Sequence, residues 1–351
     1  MGWVGGDRVK SMADYSRQLS LQWMSQSRQA NIIQSRVLMF GAGGLGVAAV
    51  SYLAGAGVGT ITLVDHDRIE ASNLHRQTIY RVSDIGQYKA KVAASYVSER
   101  NSNCAMSGLT KFLDLQSLHE LFEQHDLVLD CTDDQNFSRL LNTLCLVTGK
   151  SAVFANAVRM EGQLFVLDPE VNKPCFNCLW PAKKTLAGSC NQLGVLGPVP
   201  GILGSLQALE AIRILAGYHS ALQGRLLHCD FLSYEFSVFD VPKNKTCCHR
   251  LQDIDLESDF DLYLASHVPR INGSLCDSNI LIDIRTRSEV RDEPSAFSAL
   301  HIEALKLAEK PQDFLEKNLQ YLLLCSSGKR SKKLCNDLLK TGYKVTACRL
   351  H

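Results

Sequence analysis

The run Gly41-Ala-Gly-Gly-Leu-Gly46 constrains this chain more than any other feature. It follows the apolar stretch Val37–Phe40 and opens Leu45–Ala56, a helix-like segment rich in small residues. A strand that enters a helix through closely spaced glycines marks the start of a βαβ unit. Gly41 permits the tight turn, Gly43 lets backbone approach a phosphate, and Gly46 allows helix–strand packing. The helix N-terminus adds free N–H groups and a partial positive charge. Such a turn, with Gly44 beside it, holds a dinucleotide or a nucleotide equally well.

The residues downstream separate the two. Asp65 closes the apolar run Thr60–Val64, 24 residues after Gly41, near the spacing of a ribose-binding carboxylate. Asp67, Asn73-Leu-His-Arg-Gln77, Lys89 and Asp130-Cys-Thr-Asp133 follow. Taken singly, each would read as a solvated charge or a helix cap. Together, two cations (Arg76, Lys89) and carboxylates at strand ends suit ATP, with Asp133 able to hold Mg²⁺ through hard oxygen ligands. Hydride transfer needs no such cluster.

Further apolar runs alternate with helical spacing. Strands are expected at 37–40, 60–64, 127–130, 152–156 and 162–167, and helices at 45–56, 89–100 and 203–215, with more helix in 1–35. This order predicts an α/β domain with a mainly parallel, Rossmann-like sheet. Residues 243–279 lose periodicity, so domains are expected at 1–250 and 276–351 with a linker at 251–275. In the second, strands at 280–284 and 321–324 and a helix at 332–340 predict a small α/β unit. Lys+Arg of 37 against Asp+Glu of 36 gives no global pull toward nucleic acid or membrane. No apolar run reaches the roughly 18 residues of a membrane span. A cytoplasmic protein is expected. Its 13 cysteines then argue for thiol or metal chemistry, not a disulfide framework.

Tyr15-Ser-Arg17-Gln18, the glycine turn, Tyr52–Gly59, Ser72–Gln77, Asp130–Asp133, Arg159-Met-Glu-Gly-Gln163 and Cys175-Phe-Asn-Cys178 resemble, in that order, the ThiF/MoeB/HesA family, bacterial relatives of ubiquitin-activating enzymes. The resemblance covers about residues 12–250. It implies that Asp65, Asn73, Arg76, Lys89 and Asp133 contact ATP and Mg²⁺, with Asp67 and Gln77 in the same motif run. It makes Arg17 a further phosphate ligand, reaching across a homodimer. The apolar segment around Leu21, Trp23 and Met24 is read as a helix that offers surface for that dimer. The implied chemistry is acyl adenylation. The C-terminal glycine carboxylate of a ubiquitin-like sulfur carrier ending in Gly-Gly, of MoaD or ThiS type, attacks the α-phosphate of ATP. Cations offset the charge that builds there. One departure is Asp134, where the family usually has Asn.

The cysteines carry a second strand of the argument. Cys175 and Cys178 look like half of a tetrahedral zinc site. The family's second C-x-x-C is replaced here by Cys247-Cys248-His249, which can still complete four ligands. Cys190 stands where ThiF-like members can carry a cysteine that takes part in sulfur transfer. Cys325-Ser-Ser-Gly-Lys-Arg330 lies between an apolar strand and a helix. Backbone N–H groups, a helix N-terminus and Arg330 favour a thiolate there. With Leu281-Ile-Asp283-Ile-Arg285 and Leu339–Tyr343 it resembles a short rhodanese-like domain over about residues 276–351. The combined expectation is an adenylyltransferase and sulfurtransferase, with Arg76, Asp133, Cys190 and Cys325 catalytic and a persulfide as sulfur donor, serving molybdopterin or thiamine synthesis. Two alternatives are a nucleotide-binding scaffold without turnover and an ATP-dependent enzyme acting on a tRNA base.

Overall fold

A computed structural model describes residues 15–111, 113–170, 173–181, 194–244, 247, 256–266, 280–294 and 299–349. The chain divides into two compact units, Met1–Ile254 and Asp255–His351. In the first, α1 (Ser16–Leu19) and α2 (Gln26–Gln34) precede β1 (Arg36–Phe40), α3 (Gly44–Ala56) and β2 (Thr60–Val64). Then come α4 (Lys89–Arg100), β3 (Ala105–Leu109), α5 (Leu115–Gln124), β4 (Leu127–Asp130) and α6 (Gln135–Thr148). The unit closes with β5 (Ser151–Val158), β6 (Glu161–Leu167), α7 (Phe176–Leu179), α8 (Pro198–Leu215), β7 (Arg225–Asp230) and β8 (Glu235–Asp240).

The eight strands form one sheet in the order β3-β2-β1-β4-β5-β6-β7-β8. β1 to β5 are parallel, and β6 to β8 add on antiparallel. β1 and β4 are covered on both faces, which is why they read as unbroken runs such as Val-Leu-Met-Phe and Leu-Val-Leu. The chain leaves β1 toward β2 on one side and later returns to β4 on the other. This reversal opens a crevice at the carboxyl ends of the strands, and the glycine turn stands in it. α3 packs on α8 so closely that a Cβ on Gly204 would overlap the Leu45 carbonyl.

The strands and helices expected at the nucleotide end are present within a few residues. The segment around Leu21, Trp23 and Met24 is a turn, not the expected helix. Met24 is buried in the core and Trp23 stacks on Tyr218 at 5.5 Å, so only Leu21 of the three is exposed. The packing need of two apolar side chains has overridden their helical spacing.

The second unit is built from α9 (Leu256–Ser266), β9 (Ile280–Asp283), α10 (Arg287–Asp292), β10 (Leu300–His301), α11 (Ala304–Glu309), β11 (Gln320–Cys325), α12 (Lys329–Lys340) and β12 (Lys344–Arg349). Its four strands are parallel, in the order β10-β9-β11-β12. Its core joins Ile282, Leu323 and Val345 of the sheet to Leu334 and Leu338 of α12. α9 lies within the stretch read as a linker, buries Tyr263 and packs on α12. Among the described residues no helix is long and apolar enough to cross a membrane.

Candidate functional site

Gly41 follows β1 with φ +91°, and a Cβ there would sit 2.7 Å from the Cys131 carbonyl oxygen. Only glycine fits this turn from β1 into α3, where it passes against the end of β4. A Cβ on Gly46 would overlap the Gly41 carbonyl, and one on Gly44 would meet Pro200 of α8 at 2.9 Å. Those two glycines therefore serve packing. At Gly43 the nearest atom is Gln77 Nε2, at 3.8 Å from a Cβ position. The backbone is open there, and Gln77, itself 2% exposed, keeps its Oε1 buried without a hydrogen-bond partner among the described residues. An open backbone beside an unused buried acceptor is what a nucleotide could fill.

Asp65, just past β2, is fixed by the N–H groups of Ala42 (2.6 Å) and Asp67 (2.8 Å). Burial raises its pKa, against the pull of those N–H groups and of Lys89. Its carboxylate therefore ties the glycine turn to β2. Lys89 opens α4, is largely buried, and donates to Asp67 Oδ2 at 2.9 Å. Asn73 is buried and accepts the Glu70 N–H, shaping the 3₁₀ turn that presents Arg76. The Arg76 guanidinium donates to the Ser72 carbonyl at 3.0 Å and lies 2.7 Å from His75 Nε2.

Beyond β4, Asp130 is 2% exposed. It accepts from Thr132 N (3.0 Å), Thr132 Oγ1 (2.7 Å) and Ser138 Oγ (2.5 Å). Burial pushes its carboxyl up to about 6, although these hydrogen bonds oppose the shift. Asp133 is exposed at the lip of a small concavity lined also by Asp130, Thr132, Asn156, Phe176 and Trp180. The departure at Asp134 has a local account. Its carboxylate accepts the Asn136 N–H at 2.9 Å and N-caps α6, a position that Asp and Asn fill equally well. Sequence reading missed Gln207. Fully buried on α8, it donates to the Asp130 and Val153 carbonyls at 2.8 and 3.2 Å and so ties the end of β4 to the first half of β5. Its signal was one polar residue in the apolar Leu206-Gln-Ala-Leu209 stretch.

Arg17 is not brought to this cluster. Gln18 donates to the Ala56 carbonyl and the Tyr15 ring lies against Gly57, which puts α1 at the C-terminal end of α3. The glycine turn is at the other end, about 18 Å away for a helix of this length.

The sulfurs of Cys175, Cys178 and Cys247 all lie within 4.8 Å of one another, Cys175 and Cys247 at 3.5 Å. Three corners of a tetrahedron with Zn–S bonds of about 2.3 Å have edges of about 3.8 Å, so the three sulfurs fit zinc. Their shared hydrogen bond, with N–H groups of residues 177 and 178, pulls the Cys175 thiol below its ordinary range and raises that of Cys247. Cys175 precedes α7, whose Phe176 forms one wall of the concavity, with Trp180 just beyond the helix. Cys190, Cys248 and His249 lie outside the described residues.

In the second unit Cys325 ends β11. Its Sγ accepts the N–H groups of Gly328 (3.1 Å) and Ser331 (3.4 Å) and is almost enclosed. Arg330 is not a free cation beside it, because both guanidinium arms bind Glu289, whose carboxyl this pairing lowers to about 2. Asp283 and Arg285 form a buried ion pair at 2.7 Å that fixes the end of β9 next to β11.

The ThiF family model matches residues 15–249. The chain is 38% identical over 238 residues to the molybdopterin-synthase adenylyltransferase of Escherichia coli, covering 68% of this chain and 96% of that one. It is 36% identical over 261 residues to the adenylyltransferase and sulfurtransferase MOCS3 of Drosophila grimshawi, covering 73% of this chain and 58% of that longer protein. In fold it is similar to the crystal structure of E. coli MccB with MccA-N7isoASN, with a TM-score of 0.60, 22% identity, and 67% of this chain and 74% of that chain covered. The Rossmann-like glycine turn, the acidic strand ends and these likenesses converge: the chain belongs to the ThiF family and is an enzyme of its adenylyltransferase class.

Proposed function

We propose that the first unit uses ATP and Mg²⁺ to adenylate the C-terminal glycine of a ubiquitin-like sulfur carrier of the MoaD or ThiS type. The observation that carries this reading is the crevice itself, where the open Gly43 backbone, Gln77, Arg76, Lys89 and Asp133 surround the carboxyl ends of β1, β2 and β4. Phosphates would lie on the α3 N-terminus, with Lys89 and Arg76 as counter-charges. Asp133 and its exposed oxygens would hold Mg²⁺, which would supply neutralisation of the charge that develops on the phosphates. The carrier's carboxylate would enter the concavity beside Asp133 and Asn156, attack the α-phosphorus and expel pyrophosphate. Two anions meet only where cations stand, and Asp67 holds the Lys89 ammonium in place for that encounter.

The outer sulfur of a persulfide on Cys325, held by the N–H groups of Gly328 and Ser331, would displace AMP from the carrier's acyl-adenylate. A second thiol attacking the Cys325 sulfur would release the carrier thiocarboxylate for molybdopterin or thiamine synthesis, leaving a disulfide on Cys325 for a cellular dithiol to reduce. Cys190 would take part in that transfer. Zinc would be held by Cys175, Cys178 and Cys247, with Cys248 or His249 as the fourth ligand, in a structural role. A homodimer is part of the reading. Arg17 stands too far from its own glycine turn to reach it, and Ile202 and Leu209, seven residues apart on α8, leave an apolar stripe exposed.

The test is ATP–pyrophosphate exchange with purified MoaD-type and ThiS-type carriers. Arg76→Ala and Asp133→Ala should each reduce carrier-dependent exchange by roughly a hundredfold or more, the usual loss for a transition-state charge partner. Near-wild-type exchange in both variants would sink the assignment.

A further inference from the structure

Val158 pairs with Glu161 across the β5–β6 turn, so Arg159 and Met160 are its two central residues. Arg159 has φ 56°, a left-handed conformation that two-residue hairpin turns normally give to glycine or asparagine. The backbone is held there from both sides. The Arg159 N–H donates to the Gly194 carbonyl at 2.9 Å, and its own carbonyl accepts from Leu196 at 3.4 Å. Glycine would meet this geometry without strain, and strained non-glycine residues cluster where a side chain is needed for function. Arg159 has no structural duty to explain its presence. Its side chain is exposed, and among the described residues no ion pair engages it. The neighbouring Glu161 carboxylate faces His228 instead, at 3.5 Å.

The position of the turn gives the side chain its meaning. Asp130 pairs with Phe154, and β5 continues past it on the nucleotide side of the sheet. Asn156 lines the concavity with Asp133, and Arg159 is three residues further, about 10 Å along an extended strand. Leu196 leads through Gly197, which is pressed against the His75 carbonyl, toward Arg76. Phe231 N–H donates to the Met160 carbonyl at 2.8 Å, setting the β7–β8 turn, with Leu232 and Tyr234 exposed, alongside. Arg159 therefore stands about 10 Å beyond Asn156, with no ion-pair partner among the described residues and beside exposed apolar side chains.

We infer that Arg159 determines substrate specificity by gripping the tail of the incoming protein carrier about three residues before its terminal carboxylate. A guanidinium is permanently charged and offers several donors in a fixed fork, which suits the carbonyl oxygens or an acidic side chain of an extended tail. The inference rests on the adenylation reading of the site.

The experiment is pyrophosphate exchange by the full chain as a function of MoaD-type or ThiS-type carrier concentration, with Arg159→Gly and Arg159→Lys. Arg159→Gly should unfold at the wild-type temperature or above, because the turn prefers glycine. Its KM for carrier should rise about tenfold or more, the scale of a lost charge-assisted hydrogen bond, while kcat at saturation and KM for ATP stay within about twofold. Arg159→Lys should recover part of the loss. Wild-type exchange together with an unchanged carrier KM in Arg159→Gly would overturn this inference alone. No exchange by the wild type with either carrier would overturn the adenylation reading and this inference with it.

Discussion

At the residue scale, Asp130 shows how a motif residue can line the site while its carboxyl is buried beneath it. The Asp130–Asp133 sequence marks the acidic turn but does not say which carboxyl is buried. The packing of Phe154 and Ser138 decides that. Burial lifts the Asp130 carboxyl to about 6, so the native state holds its proton more tightly than the unfolded chain does. Protonation therefore contributes stability that is fully present below about pH 4 and is lost as pH rises through about 6. Asp130→Asn cannot ionise, so its stability relative to wild type should climb over that window by about 3 kcal/mol, as a shift of two pKa units requires. Denaturant unfolding of both proteins from pH 4 to 7 checks this, and a difference that stays flat across the range would contradict the shift. Arg330 teaches the converse lesson. The sequence places a cation beside Cys325, but only the fold reveals Glu289 on the guanidinium. The N–H groups of Gly328 and Ser331 are then the donors that the loop turns on the sulfur.

At the scale of elements, what could be read from the sequence follows burial. β1, β2 and β4 are buried across their middles or throughout, and their apolar runs announced them nearly residue for residue. β3, Ala-Met-Ser-Gly-Leu at the sheet edge, was passed over because an edge strand needs no such run. Gly108, where a Cβ would overlap the Ala90 carbonyl, reports close helix approach, not a break. β7 and β8 went unseen because much of their surface is exposed. The crevice was legible through its glycines and charges, whereas the aromatic wall of Phe154, Phe176 and Trp180 was not, since aromatic residues read first as core. α7 is only four residues long and has little stability of its own. The sulfurs of Cys175 and Cys178 hold it against Cys247, and the Asn142 side chain accepts the Phe176 N–H at 2.9 Å. Elemental analysis of metal-replete protein should find close to one zinc per chain, and less than about a tenth would refute a structural site. Chelation should lower thermal stability and raise the carrier KM more than the ATP KM, because the element it loosens lines the concavity and not the phosphate turn.

At the scale of the whole molecule, two compact units imply separable activities. Cys325→Ala should abolish persulfide formation and sulfur transfer from thiosulfate while pyrophosphate exchange continues. Loss of both would show that the units do not work independently. The first unit makes a stronger demand. Arg17 is tied to the C-terminal end of α3 through its neighbours Tyr15 and Gln18, while the phosphates would lie at the N-terminal end. An arginine side chain does not span that helix, so any phosphate contact by Arg17 must be made in the active site of a second copy. This geometry has a genetic signature. Arg17→Ala and Asp133→Ala should each be inactive alone. If Arg17 acts across the two-fold, each mixed dimer contains one site with both residues intact. Random mixing of the two variants should then recover about a quarter of wild-type exchange, since half the dimers are mixed and each has one working site of two. If Arg17 acts within its own chain, every site in the mixture lacks one of the two residues and no activity returns. Co-refolding or co-expression of the variants, followed by the exchange assay, therefore distinguishes a site completed by its partner from one that is self-sufficient.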